Sequence, residues 1–245
     1  MSTAAGKRMD SSVFAAAIIS GIHRVVAQQE YLNRINVFPV ADSDTGTNLS
    51  LSLSAALPVL RTQGDASLGQ LLAATADALL DSARGNSGAI VAQFFQGLSD
   101  HTDDEAHFTT ATFSGALQNA AGYARDALSQ PREGTILSAI SAFADEVDEQ
   151  LQASPEILFP TLLTRAHDRV DQAVAETTEQ LDVLKKAGVV DAGAKGFAEL
   201  VGGIAEYLAH GMIAPLPDTT VPDDRVFDVE PLAVDDNSSF RFCTE

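Results

Sequence analysis

The chain has 245 residues, enough for one large domain or two small ones with an ample apolar core. Its formal charge of −19, from 15 Lys and Arg against 34 Asp and Glu, leaves too few cations to bind nucleic acid or an anionic membrane surface directly. A single Cys excludes an internal disulfide, and no apolar run is long enough to cross a bilayer, so a cytoplasmic protein without membrane insertion is expected.

Residues 1–8 are small and polar, and fraying is expected there. Asp10 or Ser11 can cap a first helix whose Val13, Ala17, Ile18, Ile22, Val25 and Val26 fall near one face, ending near Glu30. The next stretch is Asn36-Val37-Phe38-Pro39-Val40-Ala41-Asp42-Ser43-Asp44-Thr45-Gly46-Thr47-Asn48. It gathers carboxylates, amides, hydroxyls and glycine with no Lys or Arg. Pro39 removes a donor and disfavours helix at Phe38, so the segment reads as a loop. Asp42 and Asp44 stand two apart, and two such anions on one side of a loop repel unless a cation lies between them. Hard oxygen donors without His or Cys point to Mg²⁺. An acidic Asx-turn capping the next helix is the competing reading.

A helix is expected from Thr47 to Leu57, stopped by Pro58, and then a polar turn over Arg61–Ser67. Leu68, Leu71, Leu72, Thr75, Leu79 and Leu80 repeat at helical spacing until Gly85-Asn86-Ser87-Gly88 interrupts them. Ile90, Val91, Phe94, Phe95 and Leu98 restart the pattern, and residues 99–107 form an acidic loop. A fifth helix is expected over about 108–128. A sixth carries Ile136, Ile140, Phe143, Val147 and Leu151 as an amphipathic stripe. Ser154-Pro155-Glu156 reads as a cap and first turn of a helix reaching Gln180. The last stripe, Phe197, Leu200, Val201, Ile204 and Leu208, ends at Gly211. Strand signals are scarce, so the fold class is all-α with about eight helices. Residues 1–213 are expected to form the domain and 214–239 an acidic proline-containing linker.

Four segments in order carry a resemblance: the Asn36–Asn48 loop, Ala83-Arg84-Gly85-Asn86-Ser87-Gly88, Pro131-Arg132-Glu133-Gly134-Thr135-Ile136-Leu137, and Gly188-Val189-Val190-Asp191-Ala192-Gly193-Ala194-Lys195-Gly196. Together they resemble the dihydroxyacetone-kinase-like nucleotide-binding domain, in the version found at the N-terminus of bacterial fatty acid kinase. The resemblance implies an antiparallel helical barrel with a nucleotide at one open end, and an ATP–Mg²⁺-dependent kinase. It implies Asp42 and Asp44 as the catalytic, metal-holding pair, with Asn36 as a third metal ligand where related dihydroxyacetone kinases carry Asp. Thr45, Gly46, Thr47, Asn48, Asn86, Ser87, Gly88, Thr135, Asp191 and Gly193 are the implied nucleotide-binding residues. Capping is the competing role for Thr45, Thr47, Thr135 and Asp191, and a plain helix–helix turn for the Gly85–Gly88 segment. Lys195, a lone helical lysine, is left out of the site.

The partner implied is a fatty-acid-binding protein that presents the acyl substrate, with a homodimer as a further expectation. Residues 240–245 resemble the start of the family's next domain, where a Cys at the place of Cys243 helps hold a structural metal; Cys243 is expected to be unmetallated here. A dihydroxyacetone kinase subunit and a non-catalytic nucleotide-sensing module are the alternatives. The five His residues show no metal-ligand spacing, and no general base stands out.

Overall fold

A computed structural model describes residues 6–62, 66–102 and 105–216. Its helices are α1 (Ser11–Ala27), α2 (Gln29–Arg34), α3 (Thr45–Ser54), α4 (Leu57–Thr62), α5 (Leu68–Ser82), α6 (Gly85–His101), α7 (Thr110–Asp126), α8 (Ile136–Ala153), α9 (Phe159–Gln180), α10 (Asp182–Ala187) and α11 (Ala192–His210). Among the described residues eight of these exceed six residues, and the rest are single short turns between them. The fold is all-α, as the periodicity implies.

Local chemistry sets the ends. The Asp10 carboxylate accepts from Val13 N and starts α1. Ser67 and Gln70 form a reciprocal capping box at α5. Gly188 and Gly211 close α10 and α11 in the left-handed conformation. Neighbouring helices pack in a ring: α1 on α11, α11 on α9, α9 on α8, α8 on α7, α7 on α6, and α6 on α3, which returns to α1. Short connections make successive long helices run in opposite directions. At the α1–α11 crossing a Cβ on Gly203 would lie 2.6 Å from the Gly21 Cα, so glycine permits contact of backbone on backbone.

Apolar stripes from every wall meet inside. Phe14, Phe94, Phe95, Phe108, Phe113, Phe143, Phe159 and Phe197 join in one edge-to-face network with centroid separations of 5.3–6.4 Å. Each such pair contributes about 0.5–1.5 kcal/mol beyond the area it buries. Between these rings an apolar crevice of only about 30 Å³ remains. No helix among the described residues is long and apolar enough to cross a membrane.

Several local expectations need correction. Arg8 is not frayed: β1 (Arg8–Asp10) pairs antiparallel with β2 (His107–Thr109), opposing buried Met9 to buried Phe108. Helix α3 starts at Thr45, two residues earlier than expected. Pro58 does not stop a helix but sits in the first turn of α4, where no backbone donor is needed. Ser154 caps the C-terminus of α8. Helix α9 begins at Phe159 with Pro160 in its first turn, because Ile157 and Phe159 are buried and draw the intervening turn against the core. Cys243, residues 240–245 and all but 214–216 of the expected linker lie outside the described residues. Residue 214 is held to α1: Ala214 N donates to Ser20 Oγ at 3.1 Å, and its carbonyl meets His23 Nδ1 at 2.6 Å.

Candidate functional site

One end of the ring opens into a cleft of about 580 Å³. The N-terminal turns of α3, α6, α8 and α11 reach it through Thr45, Gly85, Ile136 and Gly193, and the segments following α7 and α9 reach it through Leu128 and Leu181. Four partial positive ends therefore converge on one space, each equivalent to roughly half a charge. This offsets part of the chain's acidity where an anion would enter.

The loop ahead of α3 forms the acidic wall. Asn36 is buried and works as its internal brace. Its amide oxygen accepts from Asp44 N at 3.1 Å and Thr45 N at 3.2 Å, and its Nδ2 donates to the Phe38 and Val40 carbonyls. Both lone pairs of that oxygen are engaged, which does not suit the expected role as a direct metal ligand. The Phe38–Pro39 peptide is cis, and Ser43 takes φ 56° between the two aspartates. Asp42 is exposed, Asp44 half-buried, and both line the cleft. Asp44 holds the N-cap position of α3 without a side-chain cap bond, and neither carboxylate has a hydrogen bond or ion pair among the described residues. The capping alternative accounts for neither aspartate. Two unspent carboxylates suit a hard divalent cation that takes its other ligands from water and phosphate. No group of three or more His, Cys, Asp or Glu side chains with metal-binding arrangement occurs among the described residues, so protein ligands alone would not complete the shell.

The four helix ends differ in what they leave free. At α3, Asn36 and Asn33 take the N–H groups of Asp44, Thr45 and Thr47. At α8, Thr135 Oγ1 donates to the Arg132 carbonyl at 2.7 Å and accepts weakly from Leu137 N. At α11, Asp191 Oδ1 accepts from Ala194 N at 2.7 Å. Helix α6 differs in that no side chain among the described residues accepts from its first turn: Arg84 occupies its N-cap position, and Gly85, Asn86 and Ser87 open onto the cleft. Gly85 has φ 60°, a Cβ there would crowd the Asn48 amide, and Arg84 N donates to Ser52 Oγ at 2.9 Å, which ties the turn to α3. This end has backbone donors to offer an anion.

Asp191 lies at the floor, 5 % exposed. Burial pushes its carboxyl up to about 6, against the N–H groups of Ala194, Ile136 and Gly193, which favour the ionised form. The carboxylate thus joins the first turns of α8 and α11.

The cleft brings together Asn36, Asp42, Asp44, Thr45, Asn48, Asn86, Ser87, Thr135, Asp191 and Gly193. Gly46, Thr47 and Gly88, expected among the nucleotide-binding residues, are not in its lining. A Cβ on Gly46 would meet the Gln29 carbonyl at 2.1 Å, Thr47 Oγ1 accepts from Asn33 Nδ2, and a Cβ on Gly88 would meet Ser52 Oγ at 2.5 Å. Those three fasten α3 to α2 and to α6. Lys195 also turns away, pairing with Glu199 at 2.8 Å.

Among known families, the DAK2 domain matches residues 39–206, more than half of the chain. The chain belongs to the DAK2 domain family. The DAK2 match starts within the acidic loop and ends within α11, so it spans every cleft-lining residue except Asn36 and Phe38. Protein YloV of Bacillus subtilis is 30% identical over 244 residues, covering 98% of this chain and 44% of YloV. A Staphylococcus saprophyticus protein is 29% identical over 201 residues, covering 82% of this chain and 36% of its own. The chain thus spans less than half the length of these relatives. In fold it is similar to the dihydroxyacetone kinase from C. freundii solved with AMP-PNP and Mg²⁺, with a TM-score of 0.59 at 19% identity, over 79% of this chain and 33% of that one.

The cleft also uses Gly85, which belongs to the expected phosphate-loop segment, and residues that sequence reasoning did not single out for the site: Phe38, Val40, Leu128, Leu181 and Arg132. Gly85 and Arg132 lie inside the quoted motifs. Leu128 and Leu181 carry no signal beyond apolarity, which the core explains equally well.

Proposed function

We propose that this chain is an ATP–Mg²⁺-dependent phosphotransferase domain, the nucleotide-binding part of a fatty acid kinase that makes acyl phosphate from a fatty acid presented by a separate binding protein. The observation that carries the reading is the pair of unpartnered carboxylates, Asp42 and Asp44, in one cleft with the uncapped first turn of α6. The aspartates hold Mg²⁺, and the metal supplies charge neutralisation to the phosphates when bound. Gly85, Asn86 and Ser87 take phosphate oxygens on backbone and side-chain donors, with Thr45 and Asn48 on the facing wall and Gly193 leaving room beside Ser87. Asn36, Thr135 and Asp191 shape these walls from behind. A carboxylate acceptor is ionised at neutral pH, so the cleft needs alignment and charge neutralisation rather than a strong base. The interior crevice, at about 30 Å³, is too small for an acyl chain. A partner that shields the acyl chain answers that constraint.

The first test is calorimetry of ATP binding with and without Mg²⁺. Binding should require the metal, and Asp42→Asn or Asp44→Asn should weaken it at least about tenfold with the fold intact. Metal-independent binding, or none, overturns the kinase reading. Acyl phosphate formation from labelled ATP tests the acceptor: robust turnover of free fatty acid by this chain alone would remove the presenting partner. The second reading, a dihydroxyacetone kinase subunit, draws on the fold shared with the C. freundii enzyme, and phosphorylation of dihydroxyacetone by this chain would favour it.

A further inference from the structure

Arg132 lies in the turn between α7 and α8 and is the one Lys or Arg side chain lining the cleft among the described residues. Its backbone is fixed: the carbonyl accepts from Thr135 Oγ1, and two residues on, Gly134 adopts φ 79° with its N–H bound to Ser138 Oγ at 2.9 Å. Its guanidinium has no hydrogen bond or ion pair among the described residues. The obvious partner is Glu133, but that carboxylate is taken by Arg125 Nη2 at 2.7 Å and by Ser138 Oγ at 2.7 Å. Arg8, Arg61, Arg84 and Lys186 are also exposed without an ion pair among the described residues, but of these bases Arg132 alone lines the cleft.

Asp42 and Asp44 between them cancel a divalent cation, so the remaining charge of a polyphosphate must be met by other groups. The helix ends contribute roughly half a charge each, and three of the four are already turned to side-chain caps. A full positive charge from Arg132 offsets part of that deficit. A planar guanidinium gives it as two parallel hydrogen bonds, which a lysine cannot reproduce.

Resting on the nucleotide reading above, we propose that Arg132 is the phosphate clamp of this cleft, moving from solvent onto the polyphosphate of bound Mg–ATP. Calorimetry with Mg–ATP at low and high salt, on the full chain, tests it. Arg132→Ala should weaken binding about ten- to a hundredfold at low salt. The loss should shrink at high salt, because it is a charge interaction. Arg132→Lys should restore part of the affinity. Arg61→Ala, which removes an equal charge from the exposed end of α4, should change affinity less than twofold. Thermal stability should not move, since the Arg132 side chain is exposed. Arg132→Ala within twofold of wild type, an Arg61→Ala loss of equal size, or a loss indifferent to salt each overturns the clamp. Absence of Mg–ATP binding in the unmutated protein would instead remove the nucleotide reading beneath it, so the two failures are told apart.

Discussion

Helix α11 sits between two buried carboxylates with opposite surroundings. Asp191 at its cap and Glu199 about two turns further on are equally hidden, at 5 % and 6 % exposure. Asp191 faces the cleft and meets only backbone N–H groups, and burial carries its carboxyl up to about 6. Glu199 faces the α1–α9 wall. Burial pushes it up too, but hydrogen bonds from Lys195 and Arg24 outweigh that and hold it below the usual glutamate range. Asp191 is the more deeply desolvated of the two and has no cation beside it, whereas Glu199 has two, and both differences drive the shifts apart. The wall is neutralised internally and serves stability. The cleft keeps its negative groups unpaired and remains receptive to a cation and to the anion that cation brings.

The largest expected effect comes from breaking the wall. Glu199→Gln leaves Arg24 with Glu206 and Lys195 with a long contact to Asp171, and should cost about 3 kcal/mol at neutral pH. The sign with pH follows from the lowered carboxyl: its contribution is present above the unfolded value and fades as pH falls through the folded one. Urea unfolding of variant and wild type should therefore converge in acid. A gap that is constant with pH would mean the side chain only packs. Mg–ATP affinity, corrected for unfolded protein, should be unchanged.

Asp191 should behave in the opposite sense. Its folded value of about 6 stands above the ordinary 3.8, so the folded state holds more protons between the two. Stability contributed at this site is greatest in acid and falls as pH rises from about 4 to about 6, by roughly 2–3 kcal/mol in all. Asp191→Asn cannot ionise, so the stability of the wild type relative to the variant should decline across that window. Parallel curves for the two proteins would show that Asp191 is better solvated than its burial indicates, and the contrast with Glu199 would collapse.

Much of this layout was legible in the sequence, for physical reasons that can be named. The α8 stripe, the Asp10 cap and the Gly211 stop are local signals, and local signals survive folding. The Asp-rich loop and the Gly85–Ser87 turn stood out because such residues have little to do in a core. What escaped depends on tertiary contacts. Strands β1 and β2 have three residues each, too few to show alternation. Pro155 offered a local start signal for α9, but burial of Phe159 places the start at that residue, with Pro160 in the first turn. Glycine at 46 and 88 reads as backbone opened to a ligand, yet in both places it admits another part of the protein. Arg132 is unpaired only because Glu133 turns to Arg125, which no spacing rule reveals.

Lys195 offers the smallest and sharpest trial of the division along α11. It lies four residues from Asp191 and four from Glu199, so helical geometry alone would let it serve either. Its Nζ sits 2.8 Å from Glu199 Oε1 and 3.8 Å from Asp171 Oδ1, and the residue is absent from the cleft lining. Arg24 remains on Glu199 when Lys195 is removed, through contacts of 2.8 and 3.1 Å, so the carboxylate is not stranded. Lys195→Ala should therefore cost no more than about 1 kcal/mol, the scale of a partly exposed ion pair. Its affinity for Mg–ATP should stay within twofold of wild type, unlike that of Arg132→Ala. A tenfold loss of affinity at unchanged stability would mean that Lys195 leaves Glu199 for the phosphates when nucleotide binds. The wall would then be a reserve of charge for the cleft, and the two regions would have to be treated as one.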